Sequence, residues 1–83
     1  MRIAALDLGS NSFHLLVADV RPDRTFTRVA REKDMLRLGD EVARHGRITE
    51  AAADRAVESV RHLCALAEAL GAREVLAKAT SAI

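Results

Sequence analysis

The first part of the chain alternates short apolar runs with clusters of turn-forming residues. Residues 3–6 form an almost unbroken apolar run, which is typical of a strand that lies centrally in a sheet and is covered on both faces. Residues 9–12 are small or polar, and a second apolar stretch follows at residues 13–20. Since four residues are a common hairpin connection, the pattern predicts two neighbouring antiparallel strands.

A third strand is predicted after the turn at residues 21–24, where Pro22 supplies the φ value that such turns require. Residues 25–35 begin with a β-branched side chain and then become heavily charged. This composition is typical of an edge strand, because charges discourage pairing with a second chain. The chain up to residue 35 therefore predicts an antiparallel meander of three strands.

The period of the apolar positions changes at Thr49. From there to Leu70 the apolar residues recur every three or four positions, which indicates an amphipathic helix with Thr49 as its N-cap and Gly71 as its C-terminal stop. The connector before it, residues 36–46, contains two glycines and has room for one helical turn. Residues 74–79 predict a fourth strand. Because the long helix makes a crossover connection, this strand is expected to run parallel to the first.

Length and composition limit the possible functions. With 83 residues the chain is at most one small domain, and its 49% hydrophobic and 30% charged residues exclude disorder and a membrane span. The net charge of +1 provides no broad basic surface for nucleic acid or for a membrane. Aromatic residues make up only 2% of the chain, which argues against base stacking. The single cysteine, Cys64, cannot form an internal disulfide and fits a reducing, cytoplasmic setting.

The residues that can carry chemistry follow the first strand. Asp7 is followed closely by four small residues, which are Gly9, Ser10, Asn11 and Ser12. Gly9 permits φ values that are closed to other residues, and the backbone and side-chain donors of such a loop can cradle a phosphate. The carboxylate of Asp7 can hold a metal ion or orient a nucleophilic water, and its place beside a phosphate implies Mg²⁺ or a similar cation. Spacing alone leaves one alternative open, a plain hairpin turn in which Asp7 and Asn11 bond their own backbone.

Residues 5–18 resemble the opening of the Ppx/GppA phosphatases, a family of exopolyphosphatases and guanosine pentaphosphate phosphohydrolases. Residues 36–39 and 46–49 are similar to the connector of that family, and residues 79–83 resemble the segment that ends its fourth strand. The family belongs to the superfamily of actin, heat-shock chaperones and sugar kinases. The resemblance therefore implies an α/β fold, a ribonuclease-H-like (actin-like ATPase) mixed sheet with the order strand, strand, strand, helix, strand.

The resemblance also implies an activity and roles for individual residues. The reaction would be hydrolysis of the terminal phosphoanhydride bond of inorganic polyphosphate or of guanosine pentaphosphate (pppGpp), with Mg²⁺ as cofactor, in a cytoplasmic homodimer. Asp7 would be a catalytic residue and a metal ligand. The residues that would bind the substrate phosphate are Gly9, Ser10, Asn11, Ser12, Thr80 and Ser81.

Three parts of the family's active site are absent from the chain. They are the catalytic glutamate, the second glycine-rich phosphate loop and the arginine that commonly follows the Thr-Ser segment. We therefore expect residues 1–83 to be the N-terminal part of a single ribonuclease-H-like domain, without activity alone. Two alternatives stay open. One is an ATP-binding module of a sugar-kinase or chaperone-like member of the same superfamily, and the other is a small dimerising domain without catalysis.

Other polar residues near the loop receive structural interpretations. His14 is expected to face the sheet surface rather than to act as an acid or base, and Arg37 is interpreted as a surface guanidinium rather than a contact to an anionic substrate. Three cations of the third strand alternate with acidic residues, which favours a solvated edge over a track for polyphosphate. These cations are Arg28, Arg31 and Lys33.

Overall fold

The computed structural model describes residues 1–79, which form a four-stranded mixed sheet and two helices. The strands are β1 (Arg2–Leu8), β2 (Ser12–Val20), β3 (Phe26–Met35) and β4 (Glu74–Ala79). The helices α1 (Leu38–His45) and α2 (Glu50–Ala69) follow β3 in the chain. The predicted phosphate ligands Thr80 and Ser81 lie outside the described residues.

The strands are arranged in the order β3-β2-β1-β4. β2 pairs antiparallel with both β1 and β3, whereas β4 pairs parallel with β1. The meander, the crossover and the edge position of β3 are therefore confirmed. The mixed sheet and its strand-strand-strand-helix-strand order are confirmed as well, with α1 added between β3 and α2.

α2 covers one face of the sheet and builds the core there. The buried residues of β1 and β2 on that face, together with Leu38 and residues of α2, form one cluster. The prediction that β1 is covered on both faces is wrong for the described residues. Ala4 and Leu6 are buried under the helix, whereas Ala5 and Asp7 point to the other face and are exposed. We call the sheet face opposite α2 the open face.

The ends of α2 follow the capping chemistry predicted from the sequence. The hydroxyl of Thr49 accepts a hydrogen bond from the N–H of Ala52 at 3.2 Å. Gly71 has φ 83°, and the N–H of Ala72 donates to the carbonyl of Ala67 at 3.0 Å. Both caps are confirmed, because each satisfies backbone groups that the helix itself leaves without partners.

The connector holds a longer helix than the single turn that the sequence predicts. α1 has eight residues, with acidic side chains in its first turn and basic ones in its last. This order of charges stabilises a helix through its dipole. Gly46 ends α1 with φ 72°, and its N–H donates to the carbonyl of Val42 at 2.7 Å.

Arg2 and Asp19 fasten the end of the sheet that lies farthest from the 9–12 loop. The guanidinium donates two hydrogen bonds to the carboxylate, at 2.8 Å and 3.0 Å, and a third to the carbonyl of Leu70 at 2.9 Å. The hydrogen bonds from Arg2 hold the pKa of Asp19 below its ordinary value. Arg2 thereby joins β1, β2 and the end of α2.

A β-bulge sorts the charges of β3 onto two faces. Ala30 pairs with Val17 and Arg28 with Ala18, so Val29 is an extra residue in the ladder. Because of this extra residue, three cations share the open face, and they are Arg28, Arg31 and Lys33. Glu32 and Asp34 pair with core residues of β2 and therefore lie on the face of α2. There Asp34 accepts a hydrogen bond from the buried Ser59 hydroxyl at 2.5 Å. The basic side chains of β3 therefore lie on the open face, and its acidic side chains lie on the face of α2.

Candidate functional site

The 9–12 loop is a tight connection between β1 and β2. The N–H of Gly9 donates to the carbonyl of Ser12 at 3.1 Å, and Ser12 is already the first residue of β2. The turn is therefore shorter than the four residues expected. Within residues 1–79, positive φ values occur at Arg24, Arg37, Gly46 and Gly71. Gly9 therefore does not use the left-handed conformation that its residue type permits.

The segment of residues 36–39 holds the loop through three backbone hydrogen bonds. The N–H groups of Leu36 and Arg37 both donate to the carbonyl of Asn11, at 2.7 Å and 2.8 Å. The N–H of Gly39 donates to the carbonyl of Ser10 at 2.9 Å. Both central carbonyls of the loop therefore face the 36–39 segment.

This arrangement leaves backbone donors for a ligand. The N–H of Asn11 is opposite the carbonyl of Ser10 across a trans peptide, so it points away from Gly39. Among the described residues, neither the N–H of Ser10 nor that of Asn11 has a hydrogen-bond acceptor. Two neighbouring N–H groups without protein partners, together with the hydroxyl and amide side chains, can bind a phosphate oxygen.

The alternative of a plain hairpin turn has little support in this geometry. Within residues 1–79, the side chains of Asp7 and Asn11 accept no hydrogen bond from the loop backbone. Ser10 and Asn11 also lack the positive φ values of the favoured two-residue hairpin turns. The conformation of the loop therefore depends on the 36–39 segment rather than on its own turn chemistry.

Asp7 lies at the carboxyl end of β1 on the open face. Its register neighbours are His14 on β2 and Lys78 on β4, and its side chain is exposed. In the described part of the chain, no ion pair within 4.0 Å engages its carboxylate. A depression on the open face is lined by Asp7, His14, Arg28 and Arg31, among others. The carboxylate is therefore available to a ligand beside the loop.

A Mg²⁺ ion fits this donor set. No group of three or more acidic, His or Cys side chains capable of holding a metal occurs in residues 1–79. Mg²⁺ does not require one, since it is usually bound by one or two carboxylates together with substrate phosphates and water. The carboxylate of Asp7, beside a loop whose N–H groups could bind a phosphate, is compatible with that kind of site.

His14 contacts the loop, which the sequence interpretation did not include. Its Nε2 lies 3.0 Å from the hydroxyl oxygen of Ser12. The expected position on the sheet surface is confirmed. The signal in the sequence was the spacing of two residues, which places both side chains on the same face of a strand.

Arg37 is strained and exposed. It has φ 56° and ψ 42°, caps the N-terminus of α1 and makes no side-chain capping bond. Its guanidinium is 69% exposed and lies 3.6 Å from the carboxylate of Asp40. The interpretation of Arg37 as a surface guanidinium is therefore confirmed, although its backbone belongs to the segment that holds the loop.

This fold and this loop are shared with proteins of known families. The family model of the Ppx/GppA phosphatase family matches residues 16–83. The chain belongs to this family. β1 and the 9–12 loop precede the residues matched by the family model, but they lie within the alignments with individual exopolyphosphatases, which cover all 83 residues.

The curated relatives are mycobacterial proteins named exopolyphosphatase 1. Identity is 36% with the protein of Mycobacterium tuberculosis and 37% with that of Mycobacterium leprae, over the whole of this chain. The chain spans about a quarter of the length of these relatives, 24% in both cases. The similarity therefore concerns one part of the mycobacterial proteins.

Solved Ppx/GppA structures have the same fold. The Aquifex aeolicus family member matches with a TM-score of 0.83 and 25% identity, over 95% of this chain and 26% of that protein. An exopolyphosphatase from Cytophaga hutchinsonii matches with a TM-score of 0.82 and 33% identity, over 95% of this chain and 25% of the other. The described sheet and helices are thus a partial domain of the actin-like architecture.

Proposed function

We propose that this chain supplies the first phosphate-binding loop of an exopolyphosphatase, a hydrolase that removes the terminal phosphate of inorganic polyphosphate. The observation that carries the proposal is the pair of N–H groups at Ser10 and Asn11, which have no acceptor within residues 1–79. The N–H of Asn11 also points away from the 36–39 segment. The names of the mycobacterial relatives support polyphosphate as the substrate class. pppGpp is a second substrate of the same chemistry that the family name allows.

The loop would bind the terminal phosphate and orient it for attack by water. Hydrogen bonds from the backbone N–H groups of Ser10 and Asn11 would stabilise the phosphate anion and orient the phosphate group. The hydroxyl of Ser12 is held by His14 at 3.0 Å and is available as a further donor or acceptor. Phosphoryl transfer depends mainly on such positioning and on charge neutralisation.

Asp7 would hold Mg²⁺ on the open face beside the loop. The ion, when bound, supplies charge neutralisation for the phosphate oxygens. The carboxylate would act directly on the ion or through a bound water, which it would also orient. Lys78 lies next to Asp7 in the register and adds positive charge at the same level of the sheet.

The assembly and setting proposed for the enzyme are a homodimer in the cytoplasm. Cys64 is a free thiol packed against the core, which suits a reducing compartment. No helix in residues 1–79 is long and apolar enough to cross a membrane. We further propose that residues 1–83 contribute part of one ribonuclease-H-like domain and that catalysis needs groups which this chain does not contain.

The test is phosphate release from polyphosphate and from pppGpp by the protein encoded by the complete gene, with and without Mg²⁺. Asp7→Asn is expected to lower kcat by about 100-fold or more, because a held metal ion is worth several kcal/mol to the transition state. Asn11→Ala is expected to raise KM by about 10-fold. Asp54→Asn, on the exposed side of α2, is the matched control and should leave both constants unchanged. Full turnover by Asp7→Asn would remove Asp7 from the site.

A further inference from the structure

Gly39 lies directly against the side chain of Asn11. A Cβ atom built on Gly39 would be 3.0 Å from Oδ1 of Asn11 and 3.8 Å from its Cγ. A contact of 3.0 Å is tighter than real Cβ atoms ordinarily make, so one of the two groups would have to move. A Cβ atom at position 39 would therefore require the Asn11 side chain to shift by a few tenths of an ångström.

The backbone of Gly39 gives no separate reason for a glycine. Its φ is not positive, and it lies in the first turn of α1, where alanine favours the helix more than glycine does. Gly46 differs in this respect, because it has φ 72° and open space around its Cα. The contact with Asn11 is thus the feature that explains a glycine at position 39.

The same residue also orients the loop backbone. The N–H of Gly39 donates to the carbonyl of Ser10 at 2.9 Å, which fixes the peptide plane between Ser10 and Asn11. The hydrogen bond from the Gly39 N–H therefore determines the direction of the Asn11 N–H. The Cα of Gly39, which carries no side chain, leaves room for the Asn11 carboxamide.

We propose that Gly39 is a positioning residue for the phosphate site, which acts by holding both the N–H and the carboxamide of Asn11 in their binding orientation. This inference rests on the proposed function of the 9–12 loop. A methyl group at position 39 moves the carboxamide away from the 36–39 segment, and hydrogen bonds to phosphate weaken steeply as their geometry is lost. Gly39 needs no contact with the substrate for this effect.

The first experiment measures polyphosphate hydrolysis by the complete protein and its Gly39→Ala variant. KM is expected to rise by about 10-fold, the value of one hydrogen bond to a charged group. The urea midpoint of unfolding is expected to show no large loss of stability, since alanine suits the helix. The control is Gly46→Ala, which is expected to lower the midpoint through its positive φ and to leave KM unchanged.

A double variant separates positioning from a general effect. If Gly39 acts through Asn11, then Gly39→Ala combined with Asn11→Ala has the same KM as Asn11→Ala alone. The urea midpoint provides a readout that does not need activity. The shift in midpoint caused by Gly39→Ala should be more stabilising in the Asn11→Ala background than in the wild-type background, because the crowded Oδ1 of Asn11 is absent there. Multiplicative KM effects, or the same midpoint shift in both backgrounds, would overturn the inference.

The proposed function and this inference fail in different ways. If the wild-type protein releases no phosphate from either substrate, the proposed function is refuted. The urea midpoints of the wild type, the two single variants and the double variant would still decide whether Gly39 positions Asn11. If the wild-type protein is active and Gly39→Ala keeps its KM and kcat, the role of Gly39 is refuted and the proposed function stands.

Discussion

Arg37 occupies a left-handed backbone conformation, so its replacement by glycine is expected to stabilise the fold relative to its replacement by alanine. The φ of 56° and ψ of 42° bring a Cβ atom close to the following carbonyl, which costs about 1–2 kcal/mol. Glycine avoids that cost but loses about 0.5–1 kcal/mol through its greater freedom in the unfolded chain. The net expectation is that Arg37→Gly is more stable than Arg37→Ala by about 0.5–1 kcal/mol.

Loss of the Arg37 side chain itself contributes little to this comparison. Its ion pair with Asp40 is 3.6 Å long and well exposed, and such pairs contribute about 0–1 kcal/mol. Both variants lose that pair, so the difference between them reports the backbone alone. The hydrogen bond from the N–H of Arg37 to the carbonyl of Asn11 is kept in both.

The assay is urea unfolding monitored by circular dichroism. The free energies of unfolding of the two variants are compared with the same dependence on urea concentration (m value). Arg61, exposed in the middle of α2, is the matched control. There the order must reverse, and Arg61→Gly should be less stable than Arg61→Ala by about 1 kcal/mol. Equal stability of Arg37→Gly and Arg37→Ala, with the reversal present at Arg61, would refute the backbone strain at position 37.

Two further predictions concern hydrogen bonds away from the loop. Arg2 lowers the pKa of Asp19 in the folded state. The Asp19 carboxylate therefore stabilises the folded protein at pH values above the pKa that Asp19 has in the unfolded chain. This stabilisation is lost as the pH falls through the lowered pKa of the folded state. Asp19→Asn should therefore be less stable than wild type at pH 7, and the difference in urea midpoint should shrink below about pH 4. A difference that stays constant with pH would contradict a stabilising ion pair between Arg2 and Asp19. Ser59→Ala should lower the free energy of unfolding by about 1–2 kcal/mol, because the buried hydroxyl donates to Asp34 at 2.5 Å. An unchanged midpoint would show that the hydrogen bond contributes nothing net.

The strand order and the long helix could be predicted because each depends on local patterns. The period of the apolar residues from Thr49 identifies α2, and the capping chemistry of Thr49 and Gly71 identifies its ends. A crossover helix leaves few topologies, so the parallel pairing of β4 with β1 followed from the order of elements. The charges on β3 identified it as an edge strand.

Tertiary contacts decided the features that the sequence did not predict. The sequence underestimates the length of α1, because a glycine at position 39 weakens a helix locally. In the structure the N–H of Gly39 binds the loop and its Cα packs against the loop, which are tertiary contacts that the local pattern does not reveal. The openness of one face of β1 could not be read from residues 3–6, since an apolar run is the same whether one face or two are covered. Residue type was enough to propose Ser10 and Asn11 as phosphate ligands, but the three hydrogen bonds from the 36–39 segment to their carbonyls could not be predicted.

The β-bulge at Val29 has a consequence for any surface that covers the open face. In a regular ladder Val29 would pair with Ala18 and Arg28 with Asp19, so the side chain of Arg28 would turn toward α2. With the bulge, the open face is apolar at Ala5 and cationic along β3. Burial of guanidinium and ammonium groups without partners is prohibitive. The bulge therefore fixes the orientation of a covering surface, with its anionic groups over β3 and its apolar groups over Ala5.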